Sequence, residues 1–220
     1  PQVAVQLAKA HNRLQQTEEA EEVLQDTIKR FPHYSEAIFE LASFYSAQRK
    51  WNQALSLLNQ DKPEFHNQKG LLYLNQGDAR RSIDEFMSAI KGGEKSTYWN
   101  NLGIAYQKLN DFKRAEESYR YALELNPRYA EAEANLAFFL ISLKRWDEAE
   151  THLQNLTAHN PSLWRARMAF GYVREMQGDS AEAIEIYKKL LAEAPSNWLE
   201  RQQAEGRLRK LQMETTEERK

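Results

Sequence analysis

The sequence contains no cysteine among its 220 residues, which excludes disulfide bonds, thiolate metal sites and cysteine nucleophiles. Glycine and proline are also few, at 8 and 6 residues, and 41% of the residues are hydrophobic, which is typical of a globular, helix-rich protein. Neither sign of charge dominates, because 30 lysines and arginines accompany 32 aspartates and glutamates. A net charge of −2 lacks the broad positive field that holds a phosphate backbone, so we expect no nucleic-acid partner.

Long apolar runs are missing as well. No stretch approaches the roughly 18 consecutive apolar residues that cross a bilayer, and the first residues do not have the form of a signal peptide. We therefore expect no direct membrane insertion. The chain begins at Pro1 rather than at a methionine, so we expect it to be a segment of a longer protein. A cysteine-free chain suits the cytoplasm and the bacterial periplasm equally, so the localisation stays open.

Sequence patterns that carry catalysis are also missing. The sequence has no glycine-rich phosphate loop, no serine nucleophile elbow and no paired-carboxylate motif. His152 lies one helical turn from Glu148, but no third metal ligand converges on them from the sequence. We predict a protein that is not an enzyme and that has no metal site and no cofactor.

A repeat of 34 residues runs along the chain. Pro127, Pro161 and Pro195 are 34 residues apart, and small and bulky residues precede each of them in the same order. Such agreement in spacing indicates one structural unit used several times. The positions that keep the spacing are Ala115, Ala149 and Ala183; Tyr119, Leu153 and Tyr187; and the pairs Leu102-Gly103, Leu136-Ala137 and Phe170-Gly171.

Each repeat is predicted to form two antiparallel helices. Its apolar residues recur three and four positions apart, which places them on one stripe of a helix. In the repeat 96–129, the segment between the helices is too short for anything except a tight turn, and Pro127 ends the second helix. Small residues such as Gly103 and Ala115 allow the two helix backbones to approach closely. One hairpin cannot bury its stripe alone, so neighbouring hairpins must stack.

These residues resemble the tetratricopeptide repeat family. The repeat 96–129 matches its pattern at Trp99, Leu102-Gly103, Tyr106, Ala115, Tyr119, Ala122 and Pro127. The resemblance implies an all-α fold, an α-solenoid that winds as a right-handed superhelix of about six helical hairpins. We expect the solenoid to span 1–213, with hairpins at 1–34, 35–62, 63–95, 96–129, 130–163 and 164–197 and a polar capping helix at 198–213. Residues 214–220 are expected to form a disordered tail.

The second repeat is shorter than the others. The matching residues of the third repeat follow it after 28 positions instead of 34, which places a deletion at Gln60 to Pro63. We expect a shortened second helix in this hairpin and uncovered apolar surface around it. Uncovered apolar surface tends to find a partner, so self-association as a homodimer is one alternative function. A regulatory domain of a larger protein is another.

The family resemblance implies that a partner protein binds on the concave face, which is lined by first-helix residues outside the packing pattern. Amides on this face can donate to and accept from a peptide backbone, and an apolar strip beside them can anchor a partner helix. The predicted partner-binding residues are Asn67, Gln68, Leu71, Asn100, Asn101, Ile104, Lys108, Asn135, Phe138, Ile141, Met168 and Tyr172.

The sequence thus predicts a non-enzymatic scaffold that binds an extended or helical segment of another protein within a multiprotein assembly. The opposing interpretation is that the amides only solvate this face while the apolar strip packs against adjacent hairpins. Arg174 departs from the repeat, because it stands where Tyr73 and Tyr106 stand elsewhere. We expect it to need a carboxylate partner if it is buried.

Overall fold

The structure is a computed structural model that describes residues 1–217. Within them the chain is all-α, with thirteen helices and no strand. The helices are α1 (Gln2–Arg13), α2 (Thr17–Arg30), α3 (Ser35–Ala47), α4 (Trp51–Leu57), α5 (Pro63–Gln76), α6 (Ala79–Gly92), α7 (Ser96–Lys108), α8 (Phe112–Leu125), α9 (Ala130–Ser142), α10 (Trp146–His159), α11 (Trp164–Met176), α12 (Ser180–Glu193) and α13 (Arg201–Glu217).

The first twelve helices form six consecutive hairpins, which confirms the predicted fold class. The thirteenth helix closes the array, but its bounds differ from the prediction, because it begins at Arg201 and continues to Glu217. The expected disordered tail at 214–220 is therefore wrong for residues 214–217, which continue the helix. The remaining residues, 218–220, lie outside the described part of the chain.

The helices group into two compact units, an N-terminal unit from Pro1 to Ala115 and a C-terminal unit from Glu116 to the end of the chain. In the N-terminal unit, the first helices of successive hairpins contact each other in the order α1, α3, α5 and α7. In the C-terminal unit, α9 contacts α11, and α13 packs on α12. We call the surface formed by the first helices of a unit its first-helix face.

Close approach of the two helices in a hairpin depends on glycine, as the sequence predicts. A Cβ atom at Gly70 would lie 2.4 Å from Cε1 of Phe86, and one at Gly171 would lie 2.7 Å from Cε1 of Tyr187. Both rings are fully buried. A larger residue at either glycine would force the two helices apart.

Each of the six turns within a hairpin passes through the left-handed backbone region. Glycine takes this conformation at Gly77 and Gly178, and other residues take it at Gln15, Arg49, Asn110 and Lys144. Aspartate then starts three of the second helices, because Asp78, Asp111 and Asp179 accept hydrogen bonds from the backbone N–H groups of Arg81, Arg114 and Glu182, respectively. These caps satisfy amide groups that have no partner inside the helix.

The second hairpin has the predicted short helix. Its second helix α4 has 7 residues, whereas α2 and α6 each have 14. The expected uncovered apolar surface is wrong, because Leu58 and Phe65 on either side of the deletion are fully buried. Among the described residues, no large hydrophobic side chain between positions 32 and 86 is exposed. The apolar side chains on both sides of the deletion therefore point inward.

Arg174 has the carboxylate partners that the sequence predicts. Its Nη1 lies 3.0 Å from Oε1 of Glu150, and its Nη2 lies 2.6 Å from Oδ2 of Asp179 and also pairs with Glu182. In the third hairpin the equivalent positions hold Tyr73 and Arg81, and the guanidinium of Arg81 lies over the tyrosine ring. The sixth hairpin therefore replaces a stacking contact with an ion-pair cluster.

Candidate functional site

The first-helix face of the N-terminal unit brings together most of the residues predicted there. Asn67, Gln68 and Leu71 lie on α5, and Asn101, Ile104 and Lys108 lie on α7. Nδ2 of Asn101 donates a hydrogen bond of 2.9 Å to Oδ1 of Asn67, which stands 34 residues earlier in the chain. This hydrogen bond joins amide side chains of neighbouring hairpins, although the equivalent of Asn101 in the third hairpin is Gln68, one residue further along.

Beside this amide pair lies a recess between α3 and α5 with a volume of about 290 Å³. We call it the α3–α5 recess. Asn75 and Ser46 form part of its polar rim, where Nδ2 of Asn75 donates to Oγ of Ser46 over 3.3 Å. All of its lining side chains are uncharged, and they are Ala42, Ser43, Ser46, Ala47, Leu58, Gln68, Leu71, Leu72 and Asn75.

One residue beside the deletion in the second hairpin lines this recess. Leu58 directly follows the short helix α4, and it is fully buried in the recess lining. Gln68 and Leu71 were predicted as site residues, whereas Ser46, Ala47 and Asn75 were not. The repeat pattern gave no signal for these three residues, because none of them is a position that the repeat keeps.

Asn100 is a wrong prediction. Its side chain is only 2% exposed, so it belongs to the core of the N-terminal unit and not to the open face. One residue along a helix turns the side chain by about 100°, and this single step separates Asn100 from the partly exposed Asn101. At the other end of α7, Lys108 is exposed as expected.

At the N-terminal end of this face, a lysine forms ion pairs with glutamates of the neighbouring hairpin. Nζ of Lys9 on α1 lies 3.3 Å from Oε2 of Glu40 and 3.7 Å from Oε1 of Glu36, both on α3. The α3–α5 recess therefore has an ion-paired neighbour on one side and an amide pair on the other.

In the C-terminal unit, the predicted residues Asn135, Phe138 and Ile141 lie on α9, and Met168 and Tyr172 lie on α11. All five are partly exposed. The guanidinium of Arg165 lies 4.9 Å from the centre of the Phe138 ring. A cation over an aromatic ring is a favourable contact, so one face of this ring is already occupied.

The closing helix α13 covers the end of the same strip. Arg207 of α13 lies 4.3 Å from the ring centre of Tyr172, and Met168 packs against the core cluster that includes Leu211. Nη1 of Arg207 is held by Oε2 of Glu175, at 2.9 Å, and that carboxylate is only 6% exposed. For Met168 and Tyr172, these contacts favour the packing interpretation.

One histidine in the C-terminal unit lies near a carboxylate. Nδ1 of His152 lies 3.7 Å from Oε1 of Glu133, and burial lowers the pKa of His152 and raises the pKa of Glu133. Among residues 1–217, no group of three or more potential ligands could hold a metal ion. Within the same residues, no helix combines the length and the apolar character needed to cross a membrane.

Four family models, each describing the tetratricopeptide repeat, match residues 13–74, 63–91, 96–129 and 140–197. Together they cover well over half of the sequence. The chain belongs to the tetratricopeptide repeat family. Tetratricopeptide repeat proteins and the structural neighbours of this chain are typically non-enzymatic scaffolds.

Two curated proteins are similar to the chain in sequence. It is 25% identical over 165 residues to the BBSome complex member BBS4 of Bos taurus, a match that covers 74% of this chain and 32% of that protein. It is 29% identical over 106 residues to the peroxisomal targeting signal receptor of Candida glabrata, which covers 48% of this chain and 18% of the receptor. The chain thus spans less than a third of the length of these relatives.

A solved tetratricopeptide repeat structure covers nearly the whole chain. PilW, described as a widely conserved type IV pilus biogenesis factor, superposes with a TM-score of 0.74 and 22% sequence identity. The superposition covers 92% of this chain and 96% of PilW. At this identity the likeness concerns the fold alone.

Proposed function

We propose that this chain is a non-enzymatic scaffold that holds an extended or helical segment of another protein on its first-helix face. The observation that carries the proposal is the uncharged α3–α5 recess, which lies next to the hydrogen-bonded amides of Asn67 and Asn101. A recess with apolar walls and a polar rim can bind one apolar side chain and form hydrogen bonds with the backbone around it.

The lining of the recess defines the chemistry of the segment. An aliphatic or aromatic side chain that enters would cover the partly exposed Leu71, and fully burying such a side chain contributes about 1.5–3 kcal/mol. A charged side chain would lose its hydration without finding an opposite charge, because no lining residue is ionised. Amides such as Gln68 can both donate to and accept from a peptide backbone. The segment therefore presents an uncharged apolar residue.

The names of the curated relatives agree with a role in assembly. One is a member of a protein complex and the other is a receptor for a targeting signal. Both descriptions concern proteins that bind other proteins, and we extend only that general role to this chain.

The test is a selection of peptides from a random display library on the wild-type chain, followed by affinity measurement on Leu71→Asp. This change places a carboxylate in the recess, so the selected peptides should bind at least about tenfold more weakly. Circular dichroism checks that the variant remains folded.

Met87→Asp is the matched control, because Met87 is 42% exposed on α6 in the same unit and does not line the recess. It should leave the affinity within about twofold. Equal affinity of the peptides for wild type and Leu71→Asp would contradict the proposal, as would equal weakening by the control change.

A further inference from the structure

Helices α10, α11 and α12 of the C-terminal unit line another groove, on a different side of α11 from the first-helix face. This α10–α12 groove has a volume of about 390 Å³. Phe170 in the groove follows Met168 on the first-helix face by two residues, which turns the side chain by about 200° around α11. The groove is lined by Gln154, Thr157, Ala158, Pro161, Arg167, Phe170, Ile186, Lys189 and Glu193.

The groove is lined by the aromatic ring of Phe170, which stands at a position that other repeats bury. Phe170 occupies the position of Leu102 and Leu136, which are 3% and 0% exposed. Phe170 remains partly exposed, and it lines the groove together with Ile186 and the small side chain of Ala158. Covering apolar surface of this kind with a second apolar group lowers the free energy, because it removes both surfaces from water.

The rim of the groove carries more positive than negative charge. Nη1 of Arg167 lies 2.6 Å from Oε2 of Glu193, and the side chain of Arg167 is 11% exposed. Its only other hydrogen bond in the described residues also comes from Nη1, to the carbonyl oxygen of Pro161. The Nε and Nη2 donors of this guanidinium make no hydrogen bond within the described residues, and its Cζ lies 5.5 Å from the centre of the Trp164 ring. Lys189 is exposed and has no ion pair within the described part of the chain.

From this geometry we infer that the α10–α12 groove is a second docking site, which takes a partner peptide carrying an aromatic or large aliphatic side chain next to a carboxylate. The apolar side chain covers Phe170 and Ile186. The carboxylate meets Lys189 and the free donors of Arg167, so that two cations face two carboxylates once the peptide is bound. The inference does not depend on the function proposed for the first-helix face.

The probe is a short fluorescent peptide with one phenylalanine between two glutamates, titrated into the whole chain. One comparison peptide replaces both glutamates with lysine, and another replaces the phenylalanine with alanine. The acidic aromatic peptide should bind at least about tenfold more tightly than either. Its footprint in amide NMR spectra should include Ala158 and Lys189.

Two variants and one matched control test the site. Lys189→Glu reverses a rim charge and should weaken binding about fivefold, and Ala158→Trp fills the groove and should weaken it at least about tenfold. Lys188→Glu alters the neighbouring lysine, which pairs with Glu185 and does not line the groove, so it should change affinity less than about twofold.

Leu71→Asp should leave this binding unchanged, which separates the groove from the α3–α5 recess. The inference is overturned if the lysine peptide binds as tightly as the acidic one. It is overturned equally if the NMR footprint lies outside the groove, or if wild type does not bind the acidic peptide at millimolar concentration.

Discussion

The first-helix faces of the two units differ in what already occupies them. In the N-terminal unit the face includes an open, uncharged recess beside a pair of amides. In the C-terminal unit, guanidinium groups lie over the exposed rings, with Arg165 on Phe138 and Arg207 on Tyr172. The same repeat therefore gives a face with free space in one unit and a self-covered face in the other.

Different local features accompany this difference. In the N-terminal unit Leu58, which directly follows the shortened helix α4, lines the recess. In the C-terminal unit the closing helix α13 supplies Arg207, which is anchored by the buried carboxylate of Glu175. A shared packing pattern therefore does not make all positions of the first-helix face equivalent.

The turns inside the hairpins differ between the units in a related way. In the N-terminal unit, Arg114 lies over the Tyr106 ring and pairs with Asp111. In the C-terminal unit, Arg174 takes the tyrosine position and Glu182 takes the arginine position, so the contact becomes an ion pair. The same three positions of the repeat are therefore joined by a cation–aromatic contact in one hairpin and by ion pairs in the other.

The largest expected effect concerns the glycine contacts, which both units share. Gly70→Leu should lower the free energy of unfolding by about 3 kcal/mol, because even a Cβ atom would lie 2.4 Å from the fully buried Phe86 ring. Urea unfolding measures the change. Gly206→Ala on α13 is the control, since nothing lies within 4 Å of its Cβ position. It should stabilise the chain by about 0.5–1 kcal/mol. If Gly70→Leu left the free energy of unfolding unchanged, the contact between Gly70 and Phe86 would not be tight.

A smaller effect should follow from exchanging the turn chemistry of the units. Arg174→Tyr removes the partner of three carboxylates and should destabilise the chain by about 1–2 kcal/mol. Adding Glu182→Arg restores the tyrosine and arginine pair of the N-terminal unit and should recover about half of the loss. Thermal unfolding of the two single variants and the double variant gives the coupling energy. Purely additive effects would mean that the two arrangements are not interchangeable.

The smallest expected effect is a pH dependence of the stability, which arises in the N-terminal unit. His66 lies between Asp61 and Glu85, with ring nitrogens 2.8 Å and 2.6 Å from their oxygens. Hydrogen bonds to Asp61 and Glu85 raise the pKa of His66, against burial and the charge of Lys69.

Because this pKa is raised in the folded state, the stabilisation is fully present below the unfolded value of about 6.5. It is lost as the pH rises through the folded pKa. An NMR titration should give a pKa above 6.5, and wild type should exceed His66→Gln in stability more at pH 6 than at pH 8. The contact with Asp61, whose side chain is 99% exposed, contributes little to this difference because water screens it. An equal difference at both pH values would refute the assignment.

Much of the fold could be predicted because it depends on spacing. The hairpins, the tight contacts at Gly70 and Gly171, the short helix α4 and the carboxylate partners of Arg174 all follow from positions that repeat or fail to repeat. The candidate site was predicted less completely. Asn100 is buried although its neighbour Asn101 is open, and the side chains that complete the α3–α5 recess lie outside the repeat pattern.

The sequence by itself determined the helical hairpins and their order, because periodic apolar residues must be buried and only stacking of neighbours buries them. The tertiary structure alone decided which positions of the first-helix face stay open. That outcome depends on distances between side chains far apart in the chain, such as Arg207 and Tyr172 or Leu58 and Leu71. A local spacing does not contain these distances, because they are set by the packing of whole helices against each other.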